Sequence, residues 1–263
     1  VLSCTRWCGK PVTKKIDTDS SRFELLTRLG DNVLIMGHRL SEWSGDAPTL
    51  EEDMALSNIA LDLIGQARLW LTAAVMEEGA GRTEDDLAYQ RDVRDWHNLH
   101  LVELPNGDFG RTMLRQCFFD AYHLLLLEGL SKGCDREISG IAAKSLKEVR
   151  YHLRHSSGWV VRLGDGTQES HNRMVNALEI CTPCVPELFE VYEVYRSLEA
   201  RDLVPAMNDL QAQWERQVHA VLSEATLSMP EITNPMSGGR VGLHSEHLGY
   251  LLAEMQFLQR AYP

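Results

Sequence analysis

The chain has 263 residues, 44% of them hydrophobic and 24% charged, enough to bury a large core and ordinary for a globular protein. Its net charge of −12 excludes nucleic acid and anionic membrane surfaces as default partners, since both need a basic surface. No run of 18 apolar residues occurs, so no membrane span is expected, and six cysteines are too few for a disulfide scaffold at this length.

Residues 1–20 hold four basic side chains (Arg6, Lys10, Lys14, Lys15) against two acidic ones and lack the apolar middle of a secretory signal. With no Met before Met36, this stretch is expected to be a disordered or non-native tail, leaving residues 21–263 as one helical domain. Ser21 and Glu24 have the spacing of a capping box and open a first helix to about Trp43, with Leu26, Leu29, Val33, Met36 and Leu40 on one face. A second helix runs from about Leu50, through an acidic first turn, to Gly79. Its centre, Ala55 to Leu71, is apolar nearly all round, which predicts burial on several sides. A charged, mostly solvated segment follows to Asp95, then the turn Leu104-Pro105-Asn106-Gly107.

Asp108 caps a third helix to about Lys132. A fourth runs from about Asp135 to Leu163 and stops at Gly164-Asp165-Gly166. Its stripe is Ala142, Ser145, Val149, His152, Ser156, Trp159 and Leu163. Shorter helices are predicted at about 168–181, 187–200, 205–227 and 244–261. Gly238 to Gly242 reads as a loop before the last helix, since no strand precedes it to make a phosphate cradle. No β-alternation appears. The fold class is all-α, with four bundle-length helices first and shorter ones packed after them.

The chemistry-bearing candidates are polar residues within apolar helix faces. They are Asn58, Asp62 and Gln66 on the second helix, Asp120 and His123 on the third, and Glu148 and His152 on the fourth. Acids and histidines on facing helices are the raw material of a carboxylate-bridged di-iron site. Such a site needs a Glu or Asp from each of two helices and a Glu-x-x-His pair from each of the other two. Three residues before His152 stands Val149, and three before Gln66 stands Leu63, so neither pair is present. Asp120 is the one sure inward carboxylate. His152 and Asp120 are therefore expected to be hydrogen-bonded core groups, with Gln66 joining them or facing a neighbouring helix, His123 and His155 peripheral, and Glu42 at a helix end. Cys181 and Cys184 end a helix, Cys4 and Cys8 lie in the tail, and reduced thiols are expected rather than a zinc site.

Seven blocks in order resemble a known family: Gly30-Asp31-Asn32, Leu40-Ser41-Glu42-Trp43, Ala47-Pro48, Ile59–Arg68 (IALDLIGQAR), Val102–Phe109 (VELPNGDF), Lys147–Arg154 (KEVRYHLR) and Gly242–Gly249 (GLHSEHLG). Over residues 22–263 the chain is similar to the C subunits of bacterial phenylacetyl-CoA epoxidases. The resemblance implies a ferritin-like four-helix bundle with additional C-terminal helices, in the cytoplasm. It implies a structural partner of a related A subunit that holds the di-iron centre, with further oxygenase subunits and a reductase using NADPH, FAD and an iron–sulfur cluster. Phenylacetyl-CoA would be the substrate of the complex. The A-subunit pattern Asp-Glu-Ala-Gly-His falls on Asp62 to Gln66, so its Glu becomes Leu63 and its His becomes Gln66. The pattern Lys-Glu-Glu-Ser-Phe-His falls on Lys147 to His152, so a ligand Glu becomes Val149 while His152 is kept. The third-helix acid matches Asp120, and the first-helix Glu falls near Asn32 or Val33. The degenerate positions are thus Leu63, Gln66, Asp120, Val149 and His152, and no catalytic residue, cofactor or metal is expected on this chain. The competing reading is a self-sufficient di-iron oxygenase or ferroxidase built on Glu42, Asp62, Asp120, Glu148 and His152.

Overall fold

A computed structural model of the chain describes residues 18–262, which are helical with no strand among them. The first long helix, α1 (Thr18–Ser41), turns through residues 42–49 into α2 (Leu50–Glu78), and the two pack antiparallel along their whole length. Thr49 starts α2 by accepting a hydrogen bond from the Glu52 backbone N–H, 3.3 Å away. Gly79 ends it in the left-handed region at φ +63°. Next come α3 (Glu84–Tyr89), a 3-10 turn at Val93–Asp95, and the single turn α4 (His100–Glu103). The second antiparallel pair is α5 (Phe109–Leu130), capped by Asp108, and α6 (Arg136–Gly164), capped by Asp135. The α2–α6 contact closes the four-helix bundle. Arg22 ties three of its ends together, pairing with Glu77 of α2, Asp135 and Glu137.

Around the bundle sit α7 (Gln168–Cys181), α8 (Val185–Leu188), α9 (Glu193–Glu199), α10 (Met207–Glu224), α11 (Glu246–Met255) and α12 (Phe257–Ala261). Helices α7 and α10 cover the α5–α6 pair, and α9 lies on α1. Trp214 fixes α10 in place. Its ring is fully buried against Phe118 and Phe189, and its Nε1–H donates to the Phe118 carbonyl at 2.9 Å. Almost every residue of α5 is buried, so this helix is the axis around which the other elements are layered.

Several sequence expectations change. The helix does not start at Ser21: α1 reaches back to Thr18, into the stretch assigned to a tail, and Ser21 is buried inside it. The rest of that tail, with Cys4 and Cys8, lies outside the described residues. The charged segment after Thr83 is only partly solvated, since Leu87, Ala88 and Arg91 are buried, and Arg91 pairs with buried Asp31. The helix expected at 187–200 is broken at residues 189–192, and the last one is broken at Gln256. The α6 stripe holds from Ala142 to Ser156. Beyond that, Val160 and Gly164 are buried, while Trp159 and Leu163 are half-buried. The 3.6-residue period rotates a straight stripe away from the core over this length.

Helix α2 is buried on several sides as expected, against α1, α3 and α6, but not on all. One narrow side faces outward along the whole helix. By length and composition α2 is apolar enough to cross a bilayer, but 56% of the apolar stretch is buried within the protein.

Candidate functional site: the bundle core

The five degenerate positions do meet in the middle of the bundle, and all five are buried. Leu63 and Val149 are fully buried apolar side chains with no donor atom to offer a metal. Gln66 reaches across to α6, where its Nε2 donates to Glu148 Oε2 at 2.9 Å. One turn away, His152 Nε2 lies 3.0 Å from Asp62 Oδ2. Nearer the start of α2, His155 Nε2 lies 2.8 Å from Glu52 Oε2. These three pairs form a ladder between the antiparallel α2 and α6. A carboxylate can only accept, so the facing nitrogen of each histidine carries the hydrogen. The other ring nitrogen, Nδ1, has no partner among the described residues in either histidine.

Asp120 on α5 stands apart from the ladder. Gln116 Nε2 donates to its Oδ1 at 2.6 Å, and Ser156 Oγ donates to its Oδ2 at 2.8 Å. Burial pushes its pKa up to about 7, against the partial opposition of His152 and of these two hydrogen bonds. His123 is not peripheral as expected. It is buried on α5 beside Phe119, and burial together with nearby His152 lowers its pKa to about 3, so its ring is neutral at pH 7. The reason is that α5 has almost no solvent side, so its periodicity could not separate an inner from an outer face.

An iron pair does not fit this arrangement. Two of the ligand positions are hydrocarbon, Asp120 has both oxygens engaged, and Gln66 brings a neutral amide, its Nε2 bonded to Glu148, where the pattern has a histidine. Among the described residues no group of three His, Cys, Asp or Glu side chains is placed to hold a metal ion. Of the alternative set, Asp62, Glu148 and His152 lie on the ladder with Asp120 behind them, but the fifth member, Glu42, stands apart. Glu42 is exposed at the end of α1, bonded to Arg39 at 2.7 Å and Asn106 at 2.9 Å, and Asn58 faces solvent. Near the expected first-helix position, Val33 is buried and Asn32 accepts from the Leu99 backbone N–H at 2.8 Å. Cys181 and Cys184 are buried free thiols, and burial pushes the Cys181 pKa up to about 12.

A family model described as "Phenylacetic acid catabolic protein" matches residues 10–263. The chain belongs to that family. It is also 48% identical over 236 residues to the C subunit of the 1,2-phenylacetyl-CoA epoxidase of Escherichia coli (strain K12), a match that spans 90% of this chain and 95% of that protein. The all-α bundle accords with the ferritin-like architecture expected of that family.

A second polar cluster was missed at the sequence level, although two of the matching blocks contribute to it. Glu103 of α4 is fully buried, and Asn98, His244 and Ser245 all direct donors at its carboxylate. His244 spends its other nitrogen, Nε2, on the Trp96 carbonyl at 2.8 Å. Beside it, buried Glu187 accepts from the His100 backbone at 2.7 Å, from the His100 ring at 2.9 Å and from the Gly239 backbone at 2.8 Å. Burial disfavours both charges of that pair, but their mutual hydrogen bond wins: the His100 pKa is raised and the Glu187 pKa is lowered. The glycine-rich loop fits only because it is glycine: a Cβ on Gly239 would drive into the Asn98 carbonyl. It is therefore a loop before the last helices, as expected, but one locked into the fold. The only signal for the cluster was the unusual density of His and Glu in Gly242–Gly249, whose partners lie about 140 residues away.

Proposed function

We propose that this chain is a structural, non-catalytic subunit of a phenylacetyl-CoA 1,2-epoxidase, paired with a related di-iron A subunit in the cytoplasmic breakdown of phenylacetate. The complex would insert one atom of O2 into the aromatic ring of phenylacetyl-CoA, giving the 1,2-epoxide, and reduce the other to water. NADPH would supply the electrons through the FAD and the iron–sulfur cluster of a reductase subunit. The iron would reside in the A subunit, and further oxygenase subunits would complete the assembly. The observation that carries this reading is the bundle core. Leu63 and Val149 put hydrocarbon where the family's catalytic relatives need carboxylates, and a hydrogen-bonded ladder of side chains occupies the space between α2 and α6. This chain then brings no acid, base or nucleophile of its own to the ring. It contributes a rigid helical body against which the catalytic subunit folds and holds its substrate.

Co-expression with the A subunit tests the reading. A stable complex is expected, with the iron retained by the A subunit alone and with phenylacetyl-CoA turnover falling sharply when this chain is left out. Near-stoichiometric di-iron in this chain purified alone would overturn the proposal in favour of a self-sufficient oxygenase or ferroxidase.

A further inference from the structure

We propose that the outward face of α2, with the adjoining basic row of α6, is the surface on which this chain seats the A subunit. The inference rests on the pairing proposed above and adds where it takes place. On α2, Leu50, Met54, Leu61 and Met76 are 73, 60, 66 and 75% exposed. They share one side of the helix with Asn58, Gly65, Arg68 and Thr72, at steps of three and four residues or their sums. From Met54 to Met76 this stripe contains a single charge, Arg68, whereas a helix face kept for solvent is rich in charged residues. At Gly65 nothing lies within 4 Å of the space a side chain would take, so a neighbouring helix can approach closely there.

The adjoining side of α6 supplies the polarity. Lys144, Lys147 and Arg154 are exposed, and none of them enters a salt bridge among the described residues. Arg154 lies over the ring of half-exposed Tyr151, 5.5 Å from its centre. In a chain of net charge −12, an apolar stripe edged by uncompensated cations matches a partner with an apolar stripe edged by acids. A second copy of this chain would bring the same cations to the contact.

Size favours the same face. The 29 residues of α2 extend about 43 Å at 1.5 Å per residue. Two helix widths along that length give about 850 Å², close to the roughly 800 Å² per partner of a stable complex. Another exposed apolar patch, Tyr250, Phe257 and Leu258 on the short α11 and α12 with Tyr262 just beyond, spans about half that length.

The test measures affinity for the purified A subunit across a set of variants. The doubly substituted M54E/L61E chain is expected to melt like the unsubstituted one and to bind the A subunit on the order of tenfold more weakly or worse. Gly65→Trp, which adds bulk without charge, is expected to weaken it likewise. The K144E/K147E chain is expected to bind more weakly and to lose part of the salt dependence. If the α2 variants bind the A subunit as tightly as the unsubstituted chain, this face is not the seat. The same holds if only a Y250S/F257S chain loses binding, or if M54E/L61E abolishes self-association or sedimentation with phosphatidylglycerol vesicles while A-subunit binding is intact. If the unsubstituted chain fails to bind the A subunit at all, the pairing itself is wrong and the seat falls with it.

Discussion

Asp120 is a carboxyl group that the fold would rather keep protonated. Its pKa of about 7 in the folded chain compares with about 4 in an unfolded one, and burial is the main cause. A raised folded-state pKa gives stability that is complete below the unfolded value and is lost as pH climbs through the folded value. The group's contribution therefore declines from about pH 4 and is gone above about pH 7. Asp120→Asn keeps the shape and an acceptor for Ser156, and Gln116 can turn its unpartnered Oε1 toward the new amide. Thermal melts between pH 5 and 9 should show the variant gaining on the unsubstituted chain as pH rises. Two curves that stay parallel across that range would rule out the buried ionisation.

At the scale of the element, α2 sets a sharp contrast between residues two positions apart. Leu61 is two-thirds exposed and Leu63 is fully buried against the bundle. Leu61→Glu is expected to change the unfolding free energy by no more than about 0.5 kcal/mol. Leu63→Glu buries a charge without a partner and is expected to cost about 3–5 kcal/mol. Urea titrations of both variants check the pair, and a large loss in Leu61→Glu would mean that this side packs within the chain. The ends of α2 were legible in sequence because Thr49 and Gly79 act locally, through one side-chain acceptor and one left-handed backbone. Its open side was not, because the outward positions within Ala55 to Leu71 are only Asn58, Leu61, Gly65 and Arg68, too few and too mixed to mark a face in so apolar a segment. Ser21 misled for the opposite reason: a good local cap is overruled when the residues before it continue the same helix. In the core, the lack of a carboxylate three residues before His152 and Gln66 could be read by counting along a helix. The pairing of His152 with Asp62 could not, since it depends on how two helices 90 residues apart are aligned.

Across the whole molecule, the loop at 238–247 is the closure that joins late sequence to early sequence. Arg28 of α1 donates to the Arg240 carbonyl at 3.0 Å. Arg240 itself reaches Tyr122 of α5 at 2.9 Å, and Arg39 donates to the His247 carbonyl at 3.2 Å. Glu103 is the knot of this closure. Glu103→Ala would leave His244 and Asn98 facing a void and is expected to cost about 3–5 kcal/mol. The loss should be local first: limited proteolysis should cut within residues 229–245 long before the bundle is attacked. Uniform digestion of the variant would show instead that the last helices and the bundle open as one unit.

The ladder between α2 and α6 also bears on the order of events during assembly. A four-helix core closed by metal ligands is complete only after the ions arrive, and until then its inward carboxylates repel one another. Here the rungs are Gln66 with Glu148, Asp62 with His152 and Glu52 with His155, all encoded in one chain. Under the proposed function, such a body would need no iron to complete its core. In the pairing proposed above, it would stand as a finished template for a partner whose own maturation is slower.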